Sequence, residues 1–177
     1  MAFISGCYFL CPNLNKKYKE LLVIAKKIYS KFHVDLSEAG KLKRTYKGIK
    51  YDSLLEMKYF KEVVEIGLTN GTIIDCQRQI KYELQPKYKY NDKNILAINY
   101  IADFVLTYKD KSVIVFDVKG QADATALLKK KLYHYKYPEI DYRWIGYCSL
   151  DNGWQEYDVI LKGRKERKKA KDKLKVK

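Results

Sequence analysis

The chain has 177 residues and an apolar fraction of 47%, which suits one domain with a sizeable core. Thirty-six Lys and Arg against 21 Asp and Glu give a net charge of +15, an excess that calls for a polyanionic partner or surface. The four cysteines Cys7, Cys11, Cys76 and Cys148 do not read as a disulfide framework, because no secretory leader precedes them and the chain is not small.

The opening MAFISGCYFLCP contains Ile4-Ser5-Gly6-Cys7, a run like a lipoprotein cleavage box. It has no positive leader, and its apolar stretch is too short to cross a membrane, so it reads as a strand or an extended arm. The expected location is the cytoplasm, with no membrane partner. Cys7 and Cys11 are spaced CxxxC without a neighbouring His, which argues against zinc. Asn13 to Phe32 places Leu14, Tyr18, Leu21, Leu22, Ala25, Ile28, Tyr29 and Phe32 at steps of three and four. That spacing predicts an amphipathic helix capped at Asn13. Residues 33–49 are polar and read as loop. A second helix is expected from Asp52 or Ser53 to Gly67, with Leu55, Tyr59, Val63 and Ile66 inward.

Asn70-Gly71 is a turn signal, and the alternation from Ile73 to Leu84 predicts one long strand, with Gln77 and Gln79 facing outward. Pro86 to Asn94 reads as a polar loop. Apolar runs over Ile98–Leu106 and Ser112–Val118 predict buried neighbouring strands. Thr125 to Tyr135 is a lysine-rich helix, Tyr142 to Cys148 a strand and Asp151-Asn152-Gly153 a turn. Cys76 and Cys148 lie in strand runs and read as buried thiols. Residues 162–177 hold ten basic residues against two acids, a net +8. Having no apolar stripe, they read as a disordered, phosphate-binding tail in which Arg164, Lys165, Arg167, Lys168 and Lys169 attract polyanions. The domain reading is an arm and helix over 1–45, a core over 46–161 and the tail over 162–177. The seventeen tyrosines suit a surface that meets nucleic acid, but they also follow from an A+T-rich coding sequence, which takes the larger share.

The chemistry concentrates in Ile101-Ala102-Asp103-Phe104 and Phe116-Asp117-Val118-Lys119-Gly120. A carboxylate inside an apolar strand is costly unless it is paired or holds a metal. Asp117 and Lys119 are two apart and project from one face of a strand. Two acids and a lysine at a sheet edge suit a divalent cation and a phosphate. Two ionised carboxylates about 4 Å apart repel by roughly 4 kcal/mol at an effective dielectric near 20, so the site is strained without a counter-charge.

The ordered set Tyr51-Asp52-Ser53-Leu54-Leu55-Glu56, Tyr100-Ile101-Ala102-Asp103-Phe104, Asp117-Val118-Lys119-Gly120, then Thr125 and Lys129-Lys130-Lys131, resembles the PD-(D/E)xK nuclease superfamily. Within it, the set resembles a branch of small phage-encoded endonuclease-like proteins. The resemblance spans residues 46–148. Ala102 stands where the superfamily's motif has proline, and Asp117 where many members have Glu. The resemblance implies an α/β, restriction-endonuclease-like core with a mixed central sheet, plus an extra N-terminal helix. It implies a Mg²⁺- or Mn²⁺-dependent endonuclease acting on duplex or branched DNA, like the Holliday junction resolvases of the superfamily, and needing no small-molecule cofactor. Asp103, Asp117 and the Val118 carbonyl are then metal ligands, Lys119 steadies the attacking water or the transition-state charge, and Glu56 serves a second metal or positions water. One of Lys129, Lys130 and Lys131 lines the phosphate path. A homodimer is expected, because a single site cuts one strand, with residues 1–32 as the interface.

Plainer readings stand beside these. Ser53 to Glu56 is also a capping box; Asp103 and Lys119 suit a structural ion pair; the three lysines suit a solvated helix face. His33 and His134 read as surface residues, and Trp144 and Trp154 as core. The alternative function is nucleic-acid binding without catalysis on a nuclease-like fold.

Overall fold

A computed structural model of the chain describes residues 29–30 and 34–175. The arm over 1–11, most of the helix expected over 13–32, and Cys7, Cys11 and His33 lie outside the described residues. The chain forms two compact units, Met1–Ser53 and Leu54–Lys177.

In the first unit, Tyr29 makes an isolated antiparallel bridge to Asp35. Residues 33–49 are not a plain loop. Ser37 caps helix α1 (Glu38–Lys43), its Oγ accepting from Gly40 N at 3.0 Å. Strands β1 (Thr45–Tyr46) and β2 (Ile49–Lys50) then pair around Lys47 and Gly48, both at positive φ. Buried Arg44 organises the segment by donating to the backbone carbonyls of Asp35, Gly40 and Tyr51. Side-chain-to-backbone bonds of this kind leave no apolar periodicity to read.

The second unit opens with helix α2 (Leu54–Tyr59), which runs through a π turn (Phe60–Val64) into α3 (Glu65–Thr69). The π turn inserts one residue, so Val64 is fully buried instead of Val63, and Ile66 is left 56% exposed. Regular 3.6-residue spacing cannot anticipate that shift. Gly67, expected as the helix stop, lies inside α3, where an added Cβ would collide with Ile73.

Strands β3 (Ile73–Gln85), β6 (Ile98–Tyr108), β7 (Val113–Val118), β8 (Asp141–Cys148) and β9 (Gly153–Glu156) form one sheet in the order β3-β6-β7-β8-β9. All neighbours are antiparallel except β7 and β8, which are parallel. Helix α4 (Ala124–Lys136) makes the crossover between them and is capped by Asp123, whose Oδ1 accepts from Ala126 N at 2.8 Å. The architecture is therefore α/β with a mixed five-stranded sheet. Between β3 and β6 the expected loop is a hairpin of β4 (Tyr88–Tyr90) and β5 (Lys93–Ile95). Asn91 and Asp92 both adopt positive φ there, the backbone of a tight two-residue hairpin turn.

The expected disordered tail is instead helix α5 (Tyr157–Lys175). Tyr157 and Ile160 are buried in its first turn, and Arg167 grips Asp151 through two hydrogen bonds of 2.5 and 2.9 Å. Beyond that, Lys, Arg, Glu and Ala are strong helix formers and need no apolar stripe. Among the described residues no helix is long and apolar enough to cross a membrane.

Two aromatic layers sandwich the sheet. Tyr59 and Phe60 meet Phe104 at 5.6 and 6.4 Å between ring centroids, and Tyr59 also meets Phe116 and Trp154. Elsewhere, Tyr133 of α4 contacts Tyr82, Tyr100 and Tyr142 at 5.0, 5.4 and 4.4 Å. Phe104 and Tyr100 are four apart on β6, a spacing that on a regular strand keeps side chains on one face, yet they serve different layers. The paired strand β3 changes layers too, between Arg78, which lies over Phe104, and Tyr82. Gln79, at φ 54°, is the left-handed residue between them. It faces outward and is exposed, as its spacing predicts.

Candidate active site

Regular pairing between β6 and β7 ends at Phe104 and Phe116. One step further, the backbone N–H of Val118 donates not to a strand carbonyl but to Asp103 Oδ2, at 2.8 Å. The strands part at this point, and the Asp103 carboxyl occupies the notch. Asp117 lies across it, close enough for the two carboxyls to hydrogen-bond, so both acids share one side of the sheet. Burial raises the Asp103 carboxyl to about 9, reinforced by the neighbouring charges of Asp117 and Glu56. The raised carboxyl holds its proton more readily than a free one, which lowers the charge crowded into a dry notch.

Asp117 is 2% exposed and surrounded by donors. Tyr100 Oη donates to its Oδ2 at 2.6 Å, Tyr142 Oη to the same oxygen at 3.4 Å, and Lys119 Nζ lies 2.7 Å from Oδ1. Trp144 Nε1 donates in turn to Tyr142 Oη. Burial, then the Asp117 charge, pushes both phenols far above their ordinary range, so they remain donors. Lys119 thus pairs with Asp117, not with Asp103 as the structural ion-pair reading supposed.

Lys119 follows the last residue of β7 and is fixed by its N–H, which donates to Ile145 O at 2.7 Å. Gly146 allows that approach, since an added Cβ would sit 3.1 Å from the Lys119 carbonyl and 2.9 Å from Ile160 Cδ1. Glu56, the third residue of α2, is 6% exposed. Leu55 beside it packs over Gly120, which brings the helix start to the end of β7.

The remaining basic candidates scatter. Lys129 Nζ donates to Asn99 O at 2.7 Å, Lys130 lies over the Trp144 ring and 3.3 Å from Asp158, and Lys131 is exposed. Arg167 is engaged with Asp151, whereas Arg164, Lys165, Lys168 and Lys169 are exposed on α5. His134 is exposed, Trp144 is 3% exposed, and Trp154 Nε1 donates to Glu62. Cys76 is a partly buried thiol held up at about 11 by burial. Among the described residues no three of His, Cys, Asp and Glu are arranged to hold a metal by themselves.

Sequence reasoning missed Tyr100 and Tyr142. Tyr100 stands three residues before Asp103, inside the motif, and Tyr142 is the second residue of β8; only the sheet register reveals their shared acceptor.

The geometry defines an α/β protein with a two-carboxylate, one-lysine notch at the end of its central strands. The chain belongs to a family of proteins of unknown function, DUF1064, whose model matches residues 37–151, more than half of the chain, with Asp103, Asp117 and Lys119 inside the match. No curated protein matches it.

Proposed function

We propose that the chain is a metal-dependent endodeoxyribonuclease with a restriction-endonuclease-like core of the PD-(D/E)xK type. The observation that carries this is the parting of β6 and β7 at Asp103, which sets Asp103, Asp117 and Lys119 around one notch. The donor set fits Mg²⁺ or Mn²⁺. Both are hard ions, and Mg²⁺ is commonly held by one or two carboxylates with water and substrate phosphate completing its shell, not by an all-protein cage. Asp103 and Asp117 are the two carboxylates, with the Val118 carbonyl next after Asp117 in sequence. A divalent cation bound there would supply charge to polarise a phosphodiester and a water of lowered pKa to attack it.

The protein's own groups do the rest. Tyr100 and Tyr142 hold Asp117 in one orientation, and the Val118 N–H does the same for Asp103. Lys119, partly exposed, offsets charge growing on the phosphate oxygens during attack. Glu56 orients water on the helix side of Asp103. The exposed basic residues of α5 draw in the DNA backbone without reading its sequence. Cutting both strands requires two such sites, and a homodimer provides them.

The test is incubation of the full chain with labelled duplex, forked, four-way-junction and single-stranded DNA, and with RNA, in Mg²⁺, Mn²⁺ or EDTA. Internal cleavage of DNA in either metal, stopped by EDTA and by Asp103→Asn, supports the reading. Cleavage that persists in Asp103→Asn places the chemistry elsewhere. Tight DNA binding without cleavage in any metal favours a binding protein, in which the Asp117–Lys119 contact is purely structural.

A further inference from the structure

The β4–β5 hairpin is absent from the notch yet points from the same end of the sheet. Because β6 is antiparallel to both β3 and β7, the end of β3 at Gln85 pairs with the start of β6 at Ile98, and β7 runs toward that same end, stopping at Val118 beside Asp103. The hairpin joins Gln85 to Ile98, and β6 carries Asp103 five residues further on. Five residues of strand span roughly 17 Å, about five stacked base steps. The hairpin is braced at its base by α4. Lys129 Nζ donates to Asn99 O, Tyr137 Oη donates to Glu83 O at 2.9 Å, and Lys136 lies 3.6 Å from Glu83.

Tyr88 and Tyr90 lie two apart on β4 and so share one face, where they are 49% and 65% exposed. Cross-strand pairing places Ile95 opposite Tyr88 and Lys93 opposite Tyr90. Lys87, Lys89 and Lys93 are exposed, with Asp92 the one acid of the hairpin. Tyr51, Tyr59, Tyr100, Tyr133, Tyr142 and Tyr157 are buried, and Tyr29 and Tyr135 are exposed singly, while Tyr88 and Tyr90 are presented as a pair on a short ribbon. Exposed aromatic faces between cations suit unpaired nucleobases, which stack on the rings while the lysines meet their phosphates. A closed duplex keeps its base faces stacked inside and has nothing to offer the two rings.

We infer that the β4–β5 ribbon is a substrate-reading arm, on which Tyr88 and Tyr90 stack unpaired bases of a gapped or forked DNA lying across the notch. This rests on the nuclease reading above and names the substrate class of that site. Selectivity for unpaired bases then comes from the rings and not from the basic helix α5, which meets any phosphate backbone.

The test measures binding of the full chain in EDTA to blunt duplex, to the same duplex with a short gap, and to single strand, with 2-aminopurine in the gap reporting stacking. Wild type quenches the gap fluorescence. Tyr88→Ala with Tyr90→Ala abolishes the quench and weakens gapped and single-stranded binding about tenfold per tyrosine, with blunt duplex changed less than about twofold. Tyr88→Phe with Tyr90→Phe keeps both signals, since stacking needs the ring and not the hydroxyl. Unchanged gap binding in the double alanine variant, or equal loss on all three DNAs, overturns the inference. Cleavage in Mg²⁺ or Mn²⁺ is scored separately. Gap stacking without cleavage leaves the ribbon standing and removes the nuclease, whereas cleavage with a gap preference untouched by the alanines removes the ribbon alone.

Discussion

The two aromatic layers of the sheet are built from similar rings and do different work. Around Tyr59, Phe60, Phe104 and Phe116 the contacts are ring against ring, and the layer ties α2 and the π turn to the strands. Around Tyr100, Tyr133 and Tyr142 the rings carry hydroxyls, and two of those hydroxyls converge on Asp117. Burying a phenol without a partner is costly; Tyr100 and Tyr142 meet that cost by aiming donors at a carboxylate. One layer supplies cohesion, and the other holds a charged group still. Substitutions in the two layers therefore have separable consequences.

The largest effect is expected in the notch itself. Asp103→Asn and Lys119→Ala each lower single-turnover DNA cleavage by at least about a hundredfold, since the first removes a metal ligand and the second a charge that acts on the transition state. Fold, read by circular dichroism, and DNA affinity in EDTA stay close to wild type. In the phenylalanine layer, Phe104→Ala costs about 3–5 kcal/mol in urea unfolding, from lost burial and the cavity left behind, and lowers cleavage only in proportion to the folded fraction. Tyr100→Phe separates the layers most clearly. It keeps the ring and loses the bond to Asp117, costing about 1.5–3 kcal/mol, and the cleavage rate falls in protein that is still fully folded. Equal behaviour of Phe104→Ala and Tyr100→Phe, per unit of folded protein, would erase the distinction. The smallest effect is at Gln79. A β-branched side chain resists positive φ, so Gln79→Val costs about 1–2 kcal/mol, while Gln79→Gly is neutral or slightly stabilising in the same unfolding experiment.

The strands carrying Asp103 and Asp117 were legible because burial in a sheet writes itself as apolar runs, and because an acid inside such a run needs a reason. Their meeting on one side of the sheet follows from antiparallel register, which the short connection at Asp110 and Lys111 enforces. The donors to Asp117 were not legible. Tyr100 lies 17 residues away and Tyr142 lies 25 away, and in a chain with seventeen tyrosines no spacing marks those two. The π turn hid the true inward face of the second helix, moving burial from Val63 to Val64. Helix α5 and the β4–β5 ribbon escaped for a shared reason: their residues are polar, so propensity, the Arg167–Asp151 clamp and left-handed Asn91 and Asp92 shape them instead of an apolar stripe.

The central claim is that the Asp103–Asp117 pair is a cation site whose counter-charge is a proton when no metal is bound. Calorimetric titration of Mn²⁺ into the full chain between pH 6 and pH 9, without DNA, tests it most directly. With Asp103 held at about 9, metal must displace its proton. Affinity should then rise with pH across that range, about one proton should be released per Mn²⁺ below pH 8, and Asp103→Asn should abolish the binding. Mn²⁺ binding that is independent of pH, or that survives in Asp103→Asn, would contradict the account.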